Sequence, residues 1–161
     1  MIAQKDEPSW GWWLAQGATT LWEQWNGTES RNHIMFDDVS AWFTKALAGI
    51  QPDPLVPGFK HFYVTPQVVG DLTSARGEYD SIRGRIVSEW TLEKGRFKLH
   101  VVVPPNTQAT VSVPGASAAA VTEGRGPASQ AKGVKSFRDE QGGAVFEIES
   151  GEYRFAAPRG P

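Results

Sequence analysis

Residues 86–103, Ile-Val-Ser-Glu-Trp-Thr-Leu-Glu-Lys-Gly-Arg-Phe-Lys-Leu-His-Val-Val-Val, decide the fold class of this 161-residue chain. On either side of Lys94-Gly95, apolar and polar side chains alternate with a period of two, the pattern of a half-buried β-strand. Glycine at the second turn position supplies the positive φ that a tight turn needs. The stretch therefore predicts a β-hairpin.

Similar short runs, bounded by Gly, Pro or Asn, occupy most of the chain after residue 59. They are residues 60–65, 72–79, 107–113, 118–123, 134–139, 144–149 and 152–156. With the hairpin they make about nine candidate strands, which predicts a mainly β fold, an antiparallel β-sandwich or jelly roll of about eight to nine strands. The alanines at 118–120 are equally compatible with the start of a short helix.

The N-terminal part of the chain has a helical period instead. Two apolar stripes recur at the spacing of a helix face, namely Ala18, Leu21, Trp22 and Trp25, then Val39, Trp42, Phe43, Ala46, Leu47 and Ile50. Asn26-Gly27 supplies a stop for the first helix, and prolines 52, 54 and 57 exclude continuation of the second. We therefore predict a helical hairpin within residues 1–51 and a β-sandwich over residues 52–161.

Tryptophan is concentrated at the N-terminus, where six of the seven lie within the first 42 residues. Indole faces stack on the C–H groups of pyranose rings, while sugar hydroxyls need charged or imidazole partners, such as Glu23 and His33. This mixture is typical of a sugar site. The alternatives are that the tryptophans form a core, that Glu23 is a solvated helix-face carboxylate, and that His33 is a capping or packing residue.

Composition excludes several other classes of function. The net charge of −2 without a basic patch argues against nucleic acid and anionic membranes as partners. The absence of cysteine excludes disulfides, thiolate metal sites and a cysteine nucleophile. His33, His61 and His100 lack metal-ligand spacing, and phosphate-loop and nucleophile-elbow motifs are missing, so neither metal nor cofactor is expected. Without a signal-peptide core or a membrane-length apolar run, a soluble chain is expected and its compartment stays open.

At its aromatic segment the chain resembles the C-terminal end of bacterial α-L-rhamnosidases, glycoside hydrolase family 78. The resemblance covers about residues 8–113 and rests on a series of short sequence motifs that occur in a fixed order. These are Pro8-Ser9-Trp10-Gly11, Gly17-Ala18-Thr19-Thr20-Leu21-Trp22-Glu23 with Trp25, Ser30-Arg31-Asn32-His33, Ala48-Gly49-Ile50, Pro57-Gly58-Phe59-Lys60, Pro66, Gly70-Asp71-Leu72 and Tyr79-Asp80-Ser81. The ordered series of motifs is far more specific for the family than any single motif.

The resemblance implies that residues 1–51 are the last helices of an (α/α)₆ catalytic barrel and that a β-sandwich follows. By position, Glu23 corresponds to the family's general base, which activates the water that attacks the anomeric carbon with inversion. His33 corresponds to a residue of the rhamnose subsite, and Trp10, Trp12 and Trp22 either wall that subsite or pack the barrel. The family's general acid lies in upstream helices, so the chain alone is expected to be inactive.

Two departures from the family pattern concern the rim of this site. Many relatives have a longer loop between the base and the histidine, and Asp37 stands where a glycine is common. The expected partners are a rhamnose-containing glycoside and the rest of the barrel. The alternatives are a non-catalytic β-sandwich module that binds carbohydrate or protein, and a structural piece whose indole-rich helices dock on the sandwich or form a homodimer.

Overall fold

The computed structural model describes residues 4–159. The chain divides into two compact units, one ending at Trp42 and the other beginning at Phe43. The first contains the short helices α1 (Trp10–Ala15) and α2 (Val39–Trp42), and the second opens with a π-helical turn at Phe43–Leu47. All nine strands found among residues 4–159 follow that turn, which confirms the mainly β fold class. The predicted domain boundary after residue 51 stays a prediction.

The strands are β1 (Ile50–Pro52), β2 (His61–Val64), β3 (Ser74–Ser81), β4 (Gly84–Glu93), β5 (Arg96–Pro114), β6 (Thr122–Glu123), β7 (Gly126–Pro127), β8 (Val134–Glu140) and β9 (Gly143–Pro158). Single-turn 3₁₀ helices lie at Ala118–Ala120 and Ala128–Gln130. Strands β5 and β9 each join two of the predicted runs into one long strand. All pairs are antiparallel except β2 with β5, so the sheet is mixed. Parallel neighbours need a long connection, which β3 and β4 provide, and alternation within a strand does not reveal it.

Strand β9 folds back on itself and so creates the two layers of a sandwich. Phe146 and Phe155 are nine residues apart, which would separate them by about 30 Å along a straight strand. Their rings instead stack at 5.3 Å between centroids, and both are almost fully buried. The β5–β9 ladder shifts register between Val103 and Gln108, opposite the part of β9 that separates these two phenylalanines. The core therefore lies between the two halves of these strands.

The predicted hairpin is confirmed as β4 and β5. Lys94 and Gly95 both have positive φ, at 48° and 71°, and close the two-residue turn between them. Trp90 of β4 stacks on Phe97 of β5 at 5.9 Å, and both are fully buried. The Trp90 indole N–H donates to the Leu47 carbonyl over 2.7 Å, so this buried donor has a partner and ties the π-helical turn to the sheet.

The predicted helix over Ala18–Trp25 is wrong. These residues form bends and turns, because Gly17 adopts a φ of 80° that ends α1. Two residues of the helix-like apolar stripe, Trp22 and Trp25, instead pack against Trp13. Glu23 therefore lies on no helix face.

The second predicted helix is correct only in part. Residues 39–47 are helical, but Ile50 begins β1. The helical stretch cannot continue because Gly49 has a φ of 79° and lies against the chain at Thr65 and Pro66. A Cβ at Gly49 would lie 2.3 Å from the Pro66 nitrogen, so only glycine fits there.

Candidate functional site

Trp13 is the centre of an aromatic cluster in the unit that ends at Trp42. It is 2% exposed, and its ring centroid lies 4.5 Å from that of Trp25 and 5.6 Å from that of Phe36. Its indole N–H donates to the Trp25 carbonyl over 2.7 Å. Helix α1 presents this side chain after an N-cap at Ser9, whose hydroxyl accepts from the Trp12 amide. Trp13 is therefore a core residue.

The other tryptophans of the cluster differ in how much ring surface they leave free. Trp22 is 6% exposed and packs against Trp13 at 5.7 Å. Trp12 meets Trp22 edge-on at 6.3 Å, and Trp10 meets Trp25 edge-on at 5.3 Å. Trp10 and Trp12 are only half-buried. The Trp10 Nε1 atom is itself buried and has no hydrogen-bond partner within residues 4–159.

Glu23 and His33 lie on two chain segments that run side by side. The Glu23 amide donates to the Ser30 carbonyl over 2.8 Å, and the His33 amide donates to the Leu21 carbonyl over 2.9 Å. The Ser30 amide also donates to the Glu23 carboxylate oxygen Oε2 over 3.3 Å. The structure therefore places the predicted base and the predicted sugar-binding histidine at one small loop, with the base carboxylate held by that loop's backbone.

The His33 ring is oriented by the backbone two residues further along the chain. Its Nδ1 atom accepts from the Met35 amide over 3.1 Å, so in the neutral ring the proton sits on Nε2. Within the part of the chain that the structure describes, Nε2 has no hydrogen-bond partner. The half-buried imidazole thus presents a donor, which is the group that a sugar hydroxyl can accept from.

The side chain of Arg31 lies over the Trp22 ring. Its guanidinium carbon lies 5.0 Å from the Trp22 ring centroid, a cation–π distance, and its Nε donates to the Gly27 carbonyl over 3.2 Å. The Thr20 hydroxyl donates to the Arg31 carbonyl. Gly27 has a φ of 75°, and a Cβ there would lie 2.6 Å from the Trp22 ring. The loop backbone therefore rests directly on the tryptophan.

The β-sandwich carries a separate polar cluster around His61. Its Nδ1 lies 2.7 Å from Asp53 Oδ2, and its Nε2 lies 2.9 Å from Thr110 Oγ1. The cluster borders a cavity of about 830 Å³. The Leu55 amide and then the His61 ring, which both hydrogen-bond to Asp53, hold the pKa of this carboxyl below its usual value.

This cluster has the residue types of a hydrolytic triad but not its hydrogen bonding. A nucleophilic hydroxyl gives its proton to the histidine, whereas the Thr110 hydroxyl donates to Glu147 Oε2 over 2.8 Å. Glu147 is further paired with Arg138 at 3.1 Å. The network joins β2, β5, β8 and β9, so we assign it a structural role.

Within residues 4–159, no group of three or more His, Asp or Glu side chains is arranged to hold a metal ion. Among the helices of the same residues, none is long and apolar enough to span a membrane.

Two family models match the chain, and they meet near the start of β1. Residues 1–47 match the bacterial alpha-L-rhamnosidase 6 hairpin glycosidase domain, and residues 49–127 match the bacterial alpha-L-rhamnosidase C-terminal domain. The chain belongs to the bacterial α-L-rhamnosidase family. The predicted resemblance is thereby confirmed.

Individual rhamnosidases are similar to the chain over nearly its whole length. The α-L-rhamnosidase of Streptomyces avermitilis is 32% identical over 96% of the chain, and one from Formosa agariphila is 29% identical over 98%. Among solved structures, the α-L-rhamnosidase from Dictyoglumus thermophilum matches 98% of the chain at 32% identity with a TM-score of 0.83. The Streptomyces avermitilis rhamnosidase complexed with L-rhamnose matches 97% at 32% identity, also with a TM-score of 0.83. The chain spans only 15% to 18% of the length of these proteins.

Proposed function

We propose that this chain supplies the general base of an inverting α-L-rhamnosidase, with Glu23 as that base and His33 in the rhamnose subsite. One observation carries the proposal. The segment that matches the six-hairpin glycosidase domain brings Glu23 and His33 to one loop, where the Ser30 amide holds the Glu23 carboxylate. The domain division at residue 51, barrel helices before it and sandwich after it, is part of the same proposal.

In this mechanism the Glu23 carboxylate takes a proton from a water as that water attacks the anomeric carbon. The general acid stands on the opposite face of the sugar, about 6.5–9.5 Å from the base, and comes from the part of the glycosidase domain that precedes these residues in the relatives. The His33 Nε2–H donates to a sugar hydroxyl. The half-buried rings of Trp10 and Trp12 line the subsite, while Trp22 supports the loop from behind with its ring largely covered.

The chain by itself is expected to have no rhamnosidase activity. Loss of leaving-group protonation alone costs on the order of 10²–10⁴ in rate. The apolar side chains of Leu14, Ile34 and Met35 are 72%, 75% and 55% exposed. We propose that the preceding part of the six-hairpin domain covers them, because apolar patches of this kind are normally buried by folding or association.

The test uses a chimera in which residues 1–161 replace the matching C-terminal region of the Streptomyces avermitilis relative. We expect the chimera to hydrolyse an aryl α-L-rhamnoside with inversion, which NMR detects from the anomer first released. Glu23→Gln should lower kcat by on the order of 10³-fold, because the amide cannot accept the proton of water. His33→Gln should raise KM more than it lowers kcat.

The control is Glu29→Gln, an exposed glutamate of the same loop, which should leave kcat unchanged. Circular dichroism and thermal unfolding show whether each variant is folded. If the chimera does not fold, the same substitution is made at the glutamate of the relative that aligns with Glu23. Turnover by the isolated chain, or full activity of the Glu23→Gln chimera, contradicts the proposal. Rhamnose binding by the isolated chain with no catalysis in any chimera would favour a binding module instead.

A further inference from the structure

We infer that Arg31 is a positioning residue for Glu23, because its guanidinium group fixes the loop whose backbone holds the Glu23 carboxylate. The inference deepens the proposed function and rests on the role of Glu23 as a base. In the sequence Arg31 is part of the Ser30-Arg31-Asn32-His33 motif, but that motif predicts no role for it, and only its contacts in the structure distinguish it.

Both the side chain and the backbone of Arg31 are attached to the segment that leads into Glu23. The guanidinium carbon lies over the Trp22 ring, 5.0 Å from its centroid, and Nε donates to the Gly27 carbonyl over 3.2 Å. Its own carbonyl accepts from the Thr20 hydroxyl. Arg31 therefore links its own end of the loop to the segment before Glu23, through Thr20 and Trp22, and to Gly27 in the middle of the loop.

The ring over which Arg31 lies is closely packed on other sides. Trp22 is 6% exposed and is held by Trp13 and Trp12 at 5.7 Å and 6.3 Å. Arginine can place its guanidinium group over a ring and donate through Nε at the same time, and lysine has no donor at the Nε position, so lysine is not equivalent here. Ser30 precedes Arg31 directly, and its amide is thereby placed 3.3 Å from Glu23 Oε2.

Glu23 depends on this attachment more than His33 does. The His33 amide bonds to the Leu21 carbonyl, and the ring accepts from the Met35 amide, so neither contact uses the Arg31 side chain. The Glu23 carboxylate is held by the Ser30 amide, next to the anchored residue. Loss of the guanidinium group should therefore disturb the base while the sugar contact through His33 persists.

The first measurement is amide hydrogen exchange in the 161-residue chain, followed by NMR. In Arg31→Ala we expect the Glu23 and Ser30 amides to exchange about tenfold faster, because the loop opens locally, while the amides of β4 keep their rates. Arg31→Lys should resemble Arg31→Ala. The matched control is Arg125→Ala, an exposed arginine between β6 and β7. Unchanged exchange at Glu23 and Ser30 overturns the inference.

The second measurement is the kinetics of the same variants in the chimera. A base displaced by about 1 Å costs about 10²-fold in rate, so Arg31→Ala should lower kcat by that factor and change KM by less than about threefold. Arg125→Ala should match the unmodified chimera. A kcat for Arg31→Ala equal to that of Arg125→Ala overturns the inference, as does a large rise in KM with kcat preserved.

The two proposals fail in distinguishable ways. An active Glu23→Gln chimera overturns the proposed function, and the exchange rates then decide alone whether Arg31 holds this loop. An inactive Glu23→Gln chimera with an undiminished kcat for Arg31→Ala leaves the proposed function standing and overturns the role of Arg31.

Discussion

The Nδ1 atom of His61 lies 2.7 Å from Oδ2 of Asp53, and the contact fastens the chain that follows β1 to strand β2. Asp53 is 7% exposed and also accepts from the Leu55 amide over 2.8 Å, so it shapes the bend into the loop before β2. The hydrogen bonds to Asp53 depend on the negative charge of its carboxylate, and protonation in acid removes that charge.

Acid should remove the contribution of Asp53 to stability. Its folded-state pKa is lowered, first by the Leu55 amide and then by His61, so the ionised form stabilises the fold above the unfolded-state pKa of about 4. That contribution is lost as the pH falls through the lowered pKa. We therefore expect Asp53→Asn to lower Tm at pH 6, with the difference from the unmodified chain shrinking toward pH 2.

The control for this prediction is Asp71→Asn, which changes an exposed aspartate of the same unit. Its Tm should follow that of the unmodified chain at every pH. A constant Tm difference between Asp53→Asn and the unmodified chain from pH 6 to pH 2 would contradict the assigned role.

The glycine at position 133 is required by its contact with Tyr153. Its φ is 86°, and a Cβ would lie 2.1 Å from the Tyr153 hydroxyl oxygen. That hydroxyl is fixed because it donates to the Glu149 carbonyl over 2.9 Å. Gly133→Ala should therefore lower the free energy of unfolding by about 2–4 kcal/mol, the sum of backbone strain and overpacking.

Gly142→Ala separates the two contributions. Gly142 has a similar φ of 100°, but a Cβ there would have nothing within 4 Å, so its substitution costs backbone strain alone. Urea unfolding of both variants should show Gly133→Ala to be less stable than Gly142→Ala by at least about 1 kcal/mol. Equal stabilities would mean that Tyr153 moves aside without cost.

Trp90 contributes both packing and a hydrogen bond to the sandwich. Trp90→Phe leaves a cavity beside Phe97 and removes the donor from the Leu47 carbonyl, which lies 2.7 Å away. We expect the free energy of unfolding to fall by about 2–4 kcal/mol, measured by urea unfolding. Tyr79→Phe, at a 43% exposed position, should cost less than about 0.5 kcal/mol, and a similar loss at both positions would contradict this account.

Local pattern in the sequence is sufficient for the hairpin of β4 and β5, because a two-residue turn and two alternating runs fix each other's register. It is insufficient for residues 18–25, where rings that crowd around Trp13 give the same spacing as a helix face. The parallel pairing of β2 with β5 and the folding back of β9 depend on distant partners, which periodicity does not contain.

The candidate site shows the same limit. The resemblance to a family predicts Glu23 and His33, and the structure adds the hydrogen bonds that bring them to one loop. Arg31 lies within one of the motifs that carry the resemblance, but its proposed positioning role depends on its position over Trp22. A contact of this kind, made across a short irregular loop, leaves no period in the sequence.

Gly27 provides a last test of this loop. Its φ is 75°, and a Cβ would lie 2.6 Å from the Trp22 ring, so Gly27→Ala combines backbone strain with a clash against a buried side chain. Gly17 has a φ of 80° and nothing within 4 Å, so Gly17→Ala carries the strain alone. In the 161-residue chain we expect Gly27→Ala to speed exchange at the Glu23 and Ser30 amides about tenfold more than Gly17→Ala does. Similar rates in the two variants would show that the loop does not rest on Trp22.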